Sequence, residues 1–593
     1  MVRTIQLGPG ARAAAIAAMS ATTPAEPLDV LVVGGGVVGT GTALDAVSRG
    51  LSTALVEQRD LASGTSSRSS KLVHGGLRYL EMLDFALVKE ALEERGLLQT
   101  RLAPHLVRPV PFLYPLKAAW ERPYVGAGLL LYDAMAQLGA RAGHHETGVP
   151  KHSHVFRKQL ARLAPDLRTD ELHGAIRYYD CQVDDARLVS TIARTAASYG
   201  GHVATRAKVT GFLRDPSSGS GSGGRVVGVT VRDLEDDVDF EVRARVVINA
   251  AGVWTDAIQE LVGGAGALDV EASKGIHLVV PRARIRSECG FITRTEKSVL
   301  FVIPWGAHWI IGTTDTPWQF DLAHPAASRA DIDYLLGHVN KILRDPLDHG
   351  DVQGVYAGLR PLLRGTVPHD EDRGDVAAAT TRISREHTVV SPTPGLVLIA
   401  GGKLTTYRVM AADAVDMAVR ERDDVGPSIT ERVLLAGASR FETRTNQRVS
   451  LARGSGLDVG RIDHLLGRYG GLVDEVLDLV AERPTLGRPI DGAQGYLAAE
   501  VVYAVTHEGA RHLDDVLARR TRISIETFDR GIEAALPVAT LMGGELGWDE
   551  ARIAEEVDHY LRRVEAERQS QEQLTDREAD EARVSAPEGP WNT

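Results

Sequence analysis

An apolar run that ends abruptly in glycine governs how the N-terminal half of this chain can fold. Leu28–Val33 is short, continuous and almost wholly aliphatic, the pattern of a strand buried in a parallel sheet. Gly34-Gly35-Gly36-Val37-Val38-Gly39 follows at once, residues 37 to 49 carry apolar side chains at helical spacing, and 51 to 57 reads as a second strand. That order predicts a βαβ unit of about thirty residues. In such a unit Gly34 permits the tight turn, Gly36 lets the backbone approach a pyrophosphate, and Gly39 lets helix and strand pack closely. The free N–H groups and dipole at the helix start favour the anion. Glu57 closes the second strand where an acid bonds a ribose hydroxyl, and a carboxylate there repels a 2′-phosphate, which disfavours NADP. The motif by itself does not separate FAD from NAD.

The chain has 593 residues, room for several domains, with 44% apolar and 25% charged residues. That mix excludes a fibre or wholesale disorder. Its 67 Lys and Arg against 79 Asp and Glu leave a net charge of −12, which argues against a nucleic-acid partner. Glycine is enriched, 60 residues against a usual ~7%, as expected where backbone lies close to a ligand. Cys181 and Cys289 form no CxxC, so neither a disulfide framework nor a thiolate metal site is expected, and a reducing, cytoplasmic setting suits them. The longest uncharged stretch, 298 to 314, is broken by Pro304 and Gly306 and is too short for a membrane span.

Residues 1–27 read as a mobile, alanine-rich leader, 28–430 as an interleaved α/β region, 431–568 as a helical domain and 569–593 as a polar, disordered tail. Alternating strands are expected over 202–213 and 225–249, with the Ser/Gly-rich 215–224 as a hairpin tip. Two further apolar strands, 246–252 and 396–402, end in small residues. Ala250, Gly252 and Gly402, with Val209 on a neighbouring strand, are expected to converge on one extended cofactor, which favours a flavin dinucleotide. His507, Glu508, Asp514 and Asp515 read as a solvated helix face rather than a metal site.

Several segments then carry a resemblance. Ser66-Ser-Arg-Ser-Ser-Lys-Leu-Val-His-Gly-Gly-Leu-Arg-Tyr-Leu-Glu81, Ile303-Pro-Trp305, Gly312-Thr-Thr-Asp-Thr316, Gly358-Leu-Arg-Pro361 and Gly401-Gly-Lys-Leu-Thr-Thr-Tyr-Arg408 resemble the FAD-dependent glycerol-3-phosphate dehydrogenases, in that family's order. Glu500-Val-Val-Tyr503 and Arg519-Arg-Thr-Arg522 are similar to its C-terminal domain. The resemblance implies an α/β fold with a Rossmann-like FAD domain, a substrate-capping mixed sheet and a C-terminal helical domain. It implies oxidation of sn-glycerol 3-phosphate to dihydroxyacetone phosphate, with electrons passed to a quinone. Loose attachment to the inner membrane face and a homodimer are compatible with it. An oxidase using oxygen, and a non-catalytic dinucleotide-binding scaffold, are the competing functions.

A phosphomonoester needs fixed cations, best supplied by arginine. Arg78, Arg360, Arg385 and Lys403 are the candidates, with Tyr79 adding a hydroxyl. His277 is the candidate base for the C2 hydroxyl, and Arg360 is expected to steady the developing alkoxide. Ser66, Ser67, His74 and Gly75 are expected to face the flavin, the last two through backbone N–H groups. His74 is also a conceivable covalent anchor, although the resemblance favours a non-covalent flavin. Leu404 and Thr405 are expected to open a helix whose positive end faces the flavin pyrimidine.

Overall fold

The βαβ unit forms where the sequence predicts it. The computed structural model describes residues 6–81, 84–142, 148–215, 217, 224–263, 267–295, 299–363, 387–586 and 589. Leu28–Val33 and Thr53–Glu57 are parallel strands joined through the helix Val37–Ser48. The strands belong to an eight-stranded sheet whose main path runs His387–Thr393, Leu396–Gly401, Val238–Asn249, Leu28–Val33, Thr53–Glu57, His202–Thr205. All neighbours on that path are parallel except the His387–Thr393 edge. The register sets Val33 beside Asn249 and Asn249 beside Leu398, so three strand ends open onto one crevice, where ligands of open α/β sheets bind. Apolar side chains of the helices Val37–Ser48, Asp185–Ser198 and Tyr407–Val419 bury one face of the sheet. The expected hairpin forms from Ala207–Asp215 and Arg225–Asp233, with Asp215 paired to Arg225 at its tip.

A second, ten-stranded sheet is mixed. Val270–Pro281 pairs antiparallel with Gly354–Leu363, His308–Gly312 and Thr316–Trp318, whereas Gly290–Arg294 runs parallel to Arg108–Pro115. The helix Arg329–Asn340 covers one face with Ile332, Leu335 and Leu336, and Val125 and Leu129 of the helix Glu121–Ala142 cover the other. Helices dominate from Phe441 onward, with one small ribbon, Pro489–Ile490 against Ala493–Leu497.

Three expectations need correction. The leader carries the helix Pro9–Ser20, which buries Met19 and sets Arg12 against Asp233 at 2.6 Å. Nothing near Arg12 in the chain offers it a partner, because that partner lies 221 residues away. The polar tail forms the helix Asp576–Arg583, opened by a capping box between Thr575 and Glu578. It buries Ala579 and Arg583, and Asp576 binds the buried Lys274. The acids 508, 514 and 515 do not form a solvated face: Glu508 binds Arg187 at 2.6 Å, Asp515 binds Arg206 and Arg519, and Asp514 binds Arg519. His507 instead stacks on Tyr503. Sequence spacing placed the acids on one helix, but most of the arginines that cover them come from other segments.

The Arg519-Arg-Thr-Arg522 motif locks the helical domain to the first sheet. Asp515–Arg520 winds as a π turn, and both Arg519 and Arg520 reach Asp60, at 2.6 and 2.7 Å. Arg522 lies 2.5 Å from both Asp184 and Asp185, which open the helix Asp185–Ser198. Buried charges persist only when paired in this way, and removing one member of such a pair costs about 3–5 kcal/mol.

Candidate active site

The strand ends open into a cavity of about 320 Å³, within the usual ligand-site range. Its nucleotide end is shaped by backbone. Gly34 has φ +115°, and a Cβ there would lie 2.7 Å from the Ala250 carbonyl oxygen. A Cβ on Gly39 would lie 1.9 Å from the Gly34 carbonyl oxygen, so only glycine lets the helix sit on the turn. Gly36 is the N-cap of Val37–Ser48, whose first turn holds no acid to repel an anion. Ser66 Oγ accepts from the Val37 N–H at 3.0 Å. Glu57 accepts from the N–H groups of Gly35 at 2.6 Å and Arg59 at 2.7 Å, which fixes its carboxylate on the cavity wall. Burial nevertheless pushes the Glu57 carboxyl above its ordinary value. Val209, Ala250, Gly252, Gly402, Leu404 and Thr405 line the same cavity. A turn that admits no Cβ, a helix N-terminus free of acids and an anchored carboxylate together fit a dinucleotide with pyrophosphate and ribose.

The other end is built from alternating strand positions. Ser273, Gly275 and His277 share one face of Val270–Pro281, and register places them beside Arg360, Gly358 and Tyr356. The two facing glycines admit neighbouring protein groups. A Cβ on Gly275 would meet Arg360 Nη2 at 2.5 Å, and one on Gly358 would meet the Arg68 carbonyl oxygen at 2.4 Å. Arg360 donates to Thr313 Oγ1 and to the Thr314 carbonyl, both at 3.1 Å, and lies 3.2 Å from Asp315. His277 is buried, stacked on Tyr356 with ring centres 4.7 Å apart, and its Nε2 lies 2.8 Å from Ser70 Oγ. Burial, then the charges of Arg360 and Lys71, push its pKa well below the ordinary 6.5, so the imidazole is neutral at pH 7. Lys403 also lines the cavity, its Nζ 3.8 Å from the centre of the Tyr79 ring.

Not every expected residue reaches the cavity. Ser67 turns away, its hydroxyl on the Gly64 carbonyl and its own carbonyl on Lys71 Nζ. Gly75 is buried and donates to Tyr132 OH at 2.9 Å, while the His74 N–H donates to Thr405 Oγ1 at 3.1 Å. The backbone N–H groups expected to face a flavin are thus taken up inside the protein, although His74 itself lines the cavity. Arg78 lies on the helix Leu77–Glu81, with its side chain outside the described residues, as is all of Arg385.

Sequence reasoning missed Ser70, Lys71 and Tyr356. Lys71 is fully buried, 2.8 Å from Asp185, and faces the Tyr356 ring. Asp185 also accepts from the Ser69 N–H and hydroxyl, so a chain from Arg522 through Asp185 and the Ser69–Lys71 turn supports His277. The signal was present: Tyr356 stands two and four residues before Gly358 and Arg360, on their strand face.

Comparison with known proteins agrees with this architecture. The model of the FAD dependent oxidoreductase family matches residues 29–408, and that of the C-terminal domain of alpha-glycerophosphate oxidase matches 428–553. A glycerol-3-phosphate dehydrogenase of Mycobacterium tuberculosis is 55% identical over 584 residues, covering 98% of this chain and 95% of that protein. The chain belongs to the FAD-dependent glycerol-3-phosphate dehydrogenase family. The human mitochondrial glycerol-3-phosphate dehydrogenase is 38% identical, over 93% of this chain and 75% of that one. Among solved structures, the Bacillus halodurans glycerol-3-phosphate dehydrogenase complexed with FAD superposes with a TM-score of 0.74 at 28% identity, covering 95% of this chain and 98% of that one. FAD is accordingly the cofactor that the nucleotide end of the cavity accommodates. Among the described residues no helix is long and apolar enough to cross a membrane.

Proposed function

We propose that this enzyme oxidises sn-glycerol 3-phosphate to dihydroxyacetone phosphate and delivers the two electrons to a quinone. The observation that supports the reading is the substrate end of the cavity, which the buried His277 imidazole, the Arg360 guanidinium and the Lys403 ammonium group all line. Its relatives by name support it. Bound FAD supplies the acceptor for the hydride that leaves C2. The chain's own groups supply the rest. His277, held neutral, takes the proton of the C2 hydroxyl, and its stack on Tyr356 keeps the ring in plane. Arg360, aimed by Asp315 and Thr313, steadies the negative charge that develops on that oxygen. Lys403 neutralises phosphate charge, and Tyr79, Arg78 and Arg385 complete that set on the strength of the resemblance. The absence of a side chain at Gly275 lets the Arg360 guanidinium lie against that strand. Peripheral contact with the inner membrane face would bring the enzyme to its quinone.

The test is the visible spectrum of the anaerobic FAD-loaded enzyme. Glycerol 3-phosphate is expected to bleach the flavin band, and a quinone analogue to restore it. An unchanged spectrum would overturn the substrate reading. Stoichiometric peroxide, with turnover indifferent to quinone, would instead establish an oxidase.

A further inference from the structure

His277 lines the catalytic cavity, yet only 2% of its surface is exposed. Its two ring nitrogens differ. Nδ1 is buried and has no hydrogen-bond partner among the described residues. Nε2 stands 2.8 Å from Ser70 Oγ. Ser70 lines the same cavity and is more exposed there than the imidazole behind it. A serine hydroxyl has one proton to donate and two lone pairs. While it faces Nε2 it can still accept from a group in the cavity.

The turn that carries Ser70 is fixed from several directions. Tyr356, stacked on His277, donates its hydroxyl to the Ser69 carbonyl at 2.9 Å. The Ser69 hydroxyl donates to Asp185 at 2.7 Å and accepts from the Lys71 N–H at 3.0 Å. Lys71 lies at φ +56°, a left-handed conformation that side-chain-bearing residues seldom adopt. Its ammonium group is tied to Asp185 at 2.8 Å and to the Ser67 carbonyl at 3.0 Å, which holds it there. Tyr356 thus touches both the ring and the turn, and keeps the hydroxyl and Nε2 in register.

We propose that Ser70 is a catalytic residue that relays the substrate's proton to His277, an inference that rests on the oxidation of glycerol 3-phosphate proposed above. The C2 hydroxyl gives its proton to Ser70 Oγ as Ser70 gives its own to His277 Nε2. One O–H bond of the substrate breaks, one N–H bond forms on the ring, and the serine ends unchanged. The hydride leaves C2 for the flavin in the same oxidation, which accounts for the two electrons. The relay needs the neutral ring to carry its proton on Nδ1, leaving Nε2 to accept. Arg360 and Lys71 disfavour the imidazolium so formed, and the proton returns through Ser70 once product has left.

The test is stopped-flow reduction of FAD-loaded enzyme by glycerol 3-phosphate in the parent, Ser70→Ala, Ser70→Thr, His277→Ala and the double variant Ser70→Ala/His277→Ala. Retained flavin colour reports that each is folded. Ser70→Ala is expected to slow reduction about 10²-fold at saturating substrate. The substrate concentration for half-maximal rate should stay nearly unchanged, as for a group that acts only in the transition state. Ser70→Thr, which keeps a hydroxyl, is expected to recover most of the rate. The double variant should be no slower than His277→Ala, because two residues in series fail as one unit. Reduction of Ser70→Ala as fast as the parent, or losses that multiply in the double variant, would overturn the relay. The substrate reading fails separately, if glycerol 3-phosphate does not bleach the parent.

Discussion

The two ends of the catalytic cavity are made by different means. At the nucleotide end the decisive contacts are made by the backbone: Gly34 against Ala250, Gly39 against Gly34, and the Gly35 N–H donated to the Glu57 carboxylate. At the substrate end they are between side chains from distant segments: Arg360 on Asp315 and Thr313, His277 between Ser70 and Tyr356, Lys403 over Tyr79. The first kind of site tolerates no added atom, because main chain cannot rotate aside. The second tolerates isosteric change but loses chemistry when a charge or ring nitrogen goes.

The sharpest test of that contrast is Gly39→Val. Its Cβ would fall 1.9 Å from a carbonyl oxygen, and overpacking of this sort costs about 1–3 kcal/mol or more. The expected product is colourless protein with little bound FAD. A yellow, fully loaded variant would show that the turn yields after all. At the other end, His277→Ala is expected to leave the colour intact and slow flavin reduction about 10²–10⁴-fold, the usual worth of a positioned base. Stopped-flow reduction by glycerol 3-phosphate measures it. The acidic limb of kcat/KM in the parent should lie below pH 6.5, since burial and two cations hold His277 neutral in the free enzyme, and this limb should disappear in the variant. A limb that survives unchanged would assign the proton to another group.

Between those extremes stands the charged seam that joins the helical domain to the first sheet. Asp60→Asn leaves Arg519 and Arg520 buried with a weaker acceptor and should lower stability by up to about 3–5 kcal/mol in denaturant titration, with flavin chemistry less affected. Glu500 gives a pH signature there. Burial raises its carboxyl, but His464 and Arg468 outweigh burial and draw it down to about 2. With the folded value below the unfolded one, its contribution is fully present above about pH 4.5 and disappears as pH falls toward 2. Glu500→Gln should flatten stability across that window, and an unaltered slope would remove Glu500 from the account. Gly36→Ala is expected to change least. Its φ is −78°, and a Cβ would sit 3.3 Å from Ser66 Oγ, a group that can rotate. FAD affinity should fall less than about tenfold, that is, by less than about 1.4 kcal/mol. A larger loss on fluorescence titration would mean that the added Cβ meets the pyrophosphate itself.

The βαβ unit, the converging strands 246–252 and 396–402 and the hairpin were legible because each depends on neighbours in the chain or on one repeating period. The motif segments likewise brought Arg360, Lys403 and His277 to notice, and the fold sets them on one cavity. What was illegible shares one cause. Nothing beside Lys71 in the chain marks it as buried, because its partner Asp185 lies 114 positions away. The N- and C-terminal segments looked mobile from their alanine-rich and polar compositions, yet Arg12 finds Asp233 and Asp576 finds Lys274. Gly75 and Ser67 sit in a motif, but their polar groups turn inward to Tyr132 and Lys71.

Local sequence was enough to determine the strand–glycine–helix turn, because sterics and helix periodicity act over a few residues and leave one way to fold it. Tertiary structure alone decided which charges are buried, which of them pair and which imidazole is held neutral. Those outcomes depend on desolvation and on distances between groups remote in the chain, and no pattern of spacing along the sequence encodes a distance across a sheet.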